Sequence, residues 1–267
     1  MATRREFLAV TGGLTSWLGC ATGRKEEARL DLVVDAGCDI GENPLWHPEW
    51  RKLLYLDIDK GRVHAYDPET GKSALFHEGR RVGAMLIQQD GSLLLLQDGR
   101  VAILGADGKA REVLKGLSPD GVRFNDGIAD PEGRVFTGEL GGQGRMMRID
   151  PDGKVTELGT GYGCPNGWGF TPDLSSLYFT DSVARKLYRF RYDRKKGELS
   201  DRQVFAEIPA DEGIPDGMTI DAEGCVWTAI WFGGRLKRYT PDGWLDREIH
   251  LPVRQTSAVC FAGKDWA

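Results

Sequence analysis

Histidine is scarce in this chain. Four residues in 267, His47, His64, His77 and His250, are scattered without metal-ligand spacing, which argues against a histidine-built zinc site. Cysteine is also sparse, with five residues and no CxxC pair, so neither a thiolate metal knot nor a disulfide framework can be read. Cys38, Cys164, Cys225 and Cys260 read as small buried hydrophobes, and Cys164 has no neighbouring histidine to make it a nucleophile. With a net charge of −5 and no basic cluster, a nucleic-acid partner is excluded. Sustained helical periodicity is missing beyond the N-terminus. The mildly apolar run from Ala9 to Ala21 is too short to span a bilayer, so no transmembrane span is expected in the mature protein.

Turn residues are abundant, with 36 glycines and 12 prolines. One turn series reads His47-Pro48-Glu49, Gln89-Asp90-Gly91, Asp130-Pro131-Glu132-Gly133, Thr171-Pro172-Asp173, Asp221-Ala222-Glu223-Gly224 and Gly263-Lys264-Asp265. A second series interleaves with it, from Asp67-Pro68-Glu69-Thr70-Gly71 to Thr240-Pro241-Asp242-Gly243. Two hairpin turns in each period of roughly 40 to 45 residues match a four-stranded propeller blade. Leu53 to Ile58, Ser92 to Leu96, Val135 to Gly138 and Leu177 to Thr180 are short apolar segments bounded by Gly, Pro and Asp, as strands require. The expectation is an all-β, six-bladed β-propeller spanning residues 30–267, with the last blade incomplete at the C-terminus. The second turn series has five members, which predicts unpaired strand edges and weak closure between blades six and one.

Residues 1–29 read as a separate export signal and linker. Arg4-Arg5 precede Phe7-Leu8 and the apolar run, the pattern of twin-arginine export to the periplasm. Leu18-Gly19-Cys20 resembles a lipoprotein cleavage box led unusually by Trp17, making Cys20 a candidate lipid anchor.

The repeat also aligns four polar residues. Glu42, Asn125, Asn166 and Asp216 each stand six positions before Pro48, Pro131, Pro172 and Ala222, at the channel-facing start of a blade's first strand. The equivalent positions of blades two and six are Gly83 and Ala258, which offer no ligand and leave room for substrate. Two carboxylates and two amides converging on an axis form an oxygen ligand set for one hard divalent cation. Calcium suits that set best, with magnesium, manganese, zinc or iron as alternatives. Asn-Gly and Asp-Gly pairs also make good turns, but a shared offset in four units favours a site over punctuation. Asp126 and Asp181 read as turn or strand-end residues. Trp46, Trp168, Trp227 and Trp231 fall near the channel, for inter-blade packing or for contact with a flat ring.

Gly41-Glu42-Asn43-Pro44-Leu45-Trp46, Arg123-Phe124-Asn125-Asp126-Gly127, Pro165-Asn166-Gly167, Leu177 to Ser182 and Pro215-Asp216-Gly217-Met218 together resemble the SMP-30/gluconolactonase/luciferin-regenerating family, from about Gly41 onward. The resemblance implies a six-bladed propeller carrying one divalent metal and a lactonase acting on small sugar lactones. It gives Glu42, Asn166 and Asp216 as metal ligands, Asn125 and Arg123 as substrate-binding residues and Asp216 as the catalytic base. In that chemistry a cation polarises the lactone carbonyl and activates water. Glu139-Leu140 departs from the family, either as a loop surface residue or as a carboxylate reaching a substrate hydroxyl. An esterase or phosphotriesterase with a more apolar pocket, suggested by Trp168, Phe170, Trp231 and Phe232, is one alternative. A non-catalytic ligand-binding propeller is the other.

Overall fold

The computed structural model describes residues 29–263 and, for the backbone alone, residues 7–11. Arg4, Arg5 and Cys20, on which the export and acylation expectations rest, lie outside the described residues. A small antiparallel sheet pairs β1 (Phe7–Thr11) with β2 (Arg29–Val34). Among the described residues, no helix is long and apolar enough to cross a membrane.

Five four-stranded sheets come next in chain order, each an antiparallel meander. Blade one contains β3 (Gly41–His47), β4 (Lys52–Asp57), β5 (Arg62–Asp67) and β6 (Lys72–Glu78). Blade two contains β7 (Val82–Ile87), β8 (Leu93–Gln97), β9 (Val101–Leu104) and β10 (Ala110–Leu114). β11 (Arg123–Ala129), β12 (Val135–Leu140), β13 (Met146–Ile149) and β14 (Val155–Gly159) form blade three. Blade four is β15 (Pro165–Phe170), β16 (Ser176–Asp181), β17 (Lys186–Asp193) and β18 (Glu198–Glu207). Blade five is β19 (Ile214–Ile220), β20 (Val226–Trp231), β21 (Arg235–Tyr239) and β22 (Leu245–His250).

Burial orders the strands. Each blade's first strand is buried or half-buried along its whole length, most deeply in β7 and β15, whereas the last strands β6 and β22 are mostly exposed. First strands therefore sit innermost, and β3, β7, β11, β15 and β19 succeed one another as neighbours. The apolar clusters lie between blades. Leu54, Leu56 and Val63 of blade one pack on Val82, Met85 and Leu93 of blade two. Phe136 and Met146 of blade three pack on Trp168, Phe179 and Tyr192 of blade four. Side chains from facing sheets thus make each core, and burying one such aliphatic or aromatic side chain contributes roughly 1.5–3 kcal/mol. Pro-Asp-Gly turns close the hairpins. Gly153 takes a φ of 84° and donates its N–H to Asp150 O, a backbone state that glycine adopts without a steric cost.

The structure corrects the blade count from six to five. The turn at Gly263 keeps the spacing of the repeat, but spacing reports turns, and a blade also needs four paired strands. Among the described residues, the chain after β22 forms no further sheet; its ladder contact is one antiparallel bridge between Gln255 and Trp231. Residues 251–263 instead run as an extended segment joining blade five to blade one. Gly217 N donates to Ser257 O at 2.7 Å, and Ser257 Oγ donates to Gly41 O at 2.8 Å. Phe261 meets the Trp227 ring edge-on.

Candidate functional site

Glu42, Asn125, Asn166 and Asp216 all fall at the start of inner strands, in β3, β11, β15 and β19 respectively. In each of these strands the pairing register slips at or just beyond the polar residue: between Glu42 and Leu45, Asn125 and Gly127, and Asn166 and Trp168, and across Asp216 itself between Pro215 and Met218. A bulge re-aims the side chains that flank it, which explains why the same offset recurs. Left-handed backbone at Asn43 (φ 48°) and Asp126 (φ 55°) accompanies the slips. Asn43 Oδ1 accepts from Met85 N at 2.8 Å, tying the first bulge to blade two.

The four residues line one cavity of about 280 Å³ with Arg123, Cys164, Ser182 and an apolar wall of Ile40, Ile58, Val183, Ile214 and Trp231. That size suits a single small ring. Arg123 is buried, so it is no surface ion pair, and its Nη1 donates to Asn125 Oδ1 at 2.5 Å and Phe124 O at 3.1 Å. Gly83 makes room for it, because a Cβ there would stand 3.3 Å from Arg123 Nη1 and 1.9 Å from Phe124 O. Asn125 Nδ2 donates to Pro165 O at 2.5 Å, and Asn166 Nδ2 donates to Ser182 Oγ at 3.1 Å.

The carboxylates are electrostatically strained. Burial and then the charge of Asp126, against partial relief from Asn43 N and Arg123, raise the pKa of Glu42 to about 7. Asp216 is held well above the usual carboxylate range by burial, then by the charges of Glu42 and Asp126. Asp126, raised to about 6 by burial, accepts from the backbone N–H groups of Gly127 and Gly167. Among the described residues these three acidic groups are set against the Arg123 guanidinium, an imbalance that a divalent cation would relieve. Hard oxygen donors fit such an ion, and Asn166 adds a carboxamide whose nitrogen is already engaged.

Asp126 departs from its expected role as a turn residue. Strand alternation would turn its side chain away from that of Asn125, but the bulge brings it back among the channel carboxylates. An Asn-Asp pair at the repeat offset was the available signal. Asp181 is a strand-end residue, accepting from the N–H groups of Gly163, Cys164 and Ala184. Glu139 lies neither on the loop surface nor on the cavity wall, being buried and paired with Arg145 at 2.5 Å. Of the four tryptophans considered, Trp231 lines the cavity, whereas Trp168 packs 4.6 Å from Phe179 and Trp227 bonds to Asp221. Cys164 lines the cavity as a neutral thiol, its pKa pushed up to about 12 by burial and then by Asp216. Asp221, Glu223 and Cys225 also cluster, but Arg238 pairs with both carboxylates at 2.7 and 2.5 Å, so their charge is already met.

Known proteins share this chain's pattern. The pentonolactonase XacC of Haloferax volcanii is 44% identical over 237 residues, covering 87% of this chain and 81% of that protein. A 6-deoxy-6-sulfogluconolactonase of Pseudomonas putida is 33% identical over 247 residues, covering 88% and 84%. Among solved structures, regucalcin of Agrobacterium tumefaciens, described as a calcium-binding protein, superposes with a TM-score of 0.81 at 27% identity, covering 88% of this chain and 82% of that one. The SMP-30/Gluconolactonase/LRE-like region matches residues 40–267, and the chain belongs to that family.

Proposed function

We propose that this protein is a divalent-metal-dependent hydrolase that opens small sugar lactones. The observation that carries the proposal is the single cavity joining Glu42, Asn166 and Asp216 to Arg123 and Asn125. Its support from relatives is the pairing of a pentonolactonase and a sulfogluconolactonase, which share a substrate class, at 44% and 33% identity. Glu42, Asn166 and Asp216 would hold the cation, with calcium favoured by the oxygen donors and by the calcium-binding relative. When bound, a divalent cation supplies a Lewis acid for the ester carbonyl and a lowered pKa for water.

The chain's own residues do the rest. Asp216 accepts the proton as water adds to the carbonyl. Asn125, fixed by Pro165 O and Arg123, stands at the cavity wall to support the oxygen on which negative charge develops. Both protein bonds of Arg123 leave from one nitrogen, so the remainder of its fork serves substrate hydroxyls. The neutral Cys164 thiol takes no nucleophilic part.

The apolar wall of Ile40, Ile58, Val183, Ile214 and Trp231 favours a second reading, an esterase or phosphotriesterase on the same scaffold. A substrate panel separates them. Pentonolactones and gluconolactone, corrected for spontaneous opening, should be hydrolysed faster than open-chain aryl esters or phosphotriesters. The reverse ranking would select the second reading.

We further propose that Arg4-Arg5 and the adjoining apolar run direct export through the twin-arginine route, with Cys20 a candidate anchor. Replacing both arginines by lysine should retain the protein in the cytoplasmic fraction; unchanged periplasmic recovery would contradict it.

A further inference from the structure

An asparagine ligand has two ends of almost the same shape and opposite character. Only the oxygen serves a cation, so the side chain must be held against a half-turn that would present the amide nitrogen instead. Asn166 carries the means of that control on its own blade. Its Nδ2 donates to Ser182 Oγ at 3.1 Å and lies 3.8 Å from Cys164 Sγ, so two acceptors meet the nitrogen and neither meets Oδ1. Ser182 is itself 6% exposed and lines the cavity.

The placement of Ser182 and Cys164 is built, not incidental. They flank the first hairpin of blade four, where Ser182 N donates to Cys164 O at 3.0 Å. Asp181 stabilises both arms of that junction, taking N–H groups from Gly163 and Cys164 on one side and Ala184 on the other. One buried carboxylate thus fixes the backbone that sets two acceptors around one amide.

The structure assigns Ser182, assisted by Cys164, as the positioning residue that selects the oxygen end of Asn166 for the cation. This rests on the proposed cation site and goes beyond its ligand set. Ser182 acts through Asn166, whose amide it orients.

The test reads cation affinity and not turnover. Calcium, or manganese or zinc where calcium is not taken up, is titrated calorimetrically into chelator-stripped full chain, with the melting temperature of the stripped protein measured alongside. Ser182→Ala should weaken cation binding about three- to tenfold, the range expected from one lost hydrogen bond, while Ser182→Thr stays near wild type because the hydroxyl is kept. In an Asn166→Asp background the two oxygens are equivalent and orientation has no meaning, so Ser182→Ala should change affinity less than about twofold. Unchanged affinity in Ser182→Ala, or an equal loss in the Asn166→Asp background, overturns the inference. Wild-type protein that takes up none of calcium, manganese and zinc overturns the cation site and this inference together, whereas binding by wild type with an unaffected Ser182→Ala overturns this inference alone.

Discussion

Replacing Asp216 by asparagine should stabilise the metal-free protein while removing its response to cation. The charge of Asp126 raises the proton affinity of Glu42, and Glu42 and Asp126 together raise that of Asp216, with Arg123 opposing both. Glu42 alone is raised from 4.5 to about 7, which corresponds to about 3 kcal/mol of unfavourable ionisation at high pH. Asp216 bears a burial cost of the same kind together with repulsion from Glu42 and Asp126, so removing its charge should return about 2 kcal/mol at pH 8, a rise of roughly 4–8 °C in melting temperature. The sign with pH comes from linkage. A carboxyl whose pKa is higher folded than unfolded binds its proton more tightly in the native state, so stability is full near pH 4 and falls as pH rises through about 6 to 7. The gain from Asp216→Asn should accordingly be large at pH 8 and small at pH 5. Thermal melts in chelator at the two pH values measure it. Adding calcium should then raise the melting temperature of wild type by mass action and leave the variant unmoved. A variant less stable than wild type at pH 8 in chelator would refute the reasoning, as would a gain equal at both pH values.

Two further outcomes are expected away from the carboxylates. Gly83→Ala places a Cβ 1.9 Å from Phe124 O, so β7 and β11 must part; urea denaturation should show a loss of about 3 kcal/mol and weaker substrate binding through Arg123, and an unchanged midpoint would contradict the packing described. Arg134→Ala breaks a buried pair with Asp130 at 2.5 Å and bonds to Tyr192 Oη and Arg194 O that clamp blade three to blade four. It should cost about 3 kcal/mol of stability with kcat unchanged, because the pair sits at the far end of the β11–β12 hairpin from Asn125. A fall in kcat at matched folded fraction would tie that clamp to the site.

Much of the site was legible because the repeat fixes one offset per blade. Glu42, Asn125, Asn166 and Asp216 sit where that offset places them, and Arg123 precedes Asn125 on the same inner strand. Asp126 was not legible, since its direction depends on a bulge, and a bulge breaks the alternation on which strand reading relies. Cys164 stands two residues before Asn166, close enough in sequence to be placed beside the site, whereas Ser182 escaped because it meets Asn166 across a hairpin junction organised by Asp181 that no spacing encodes. The blade count failed on the difference between a turn and a strand. Gly263 continues the turn series, yet the segment beyond β22 crosses from Gly217 to Gly41 through Ser257 instead of building a sheet. Glu139 was misplaced because its partner Arg145 lies across the turn after β12, where the sequence shows only a glycine-rich run.

The central claim is that the channel carboxylates hold a cation that makes the protein a lactonase. It is tested most directly by initial rates of pentonolactone opening in chelated protein, before and after calcium, manganese or zinc is returned, with Asp216→Asn beside wild type. The wild-type rate should vanish on chelation, return with at least one of these ions and stay absent in the variant. Folded, metal-loaded wild type that opens no lactone, or a variant that matches wild type, would contradict it.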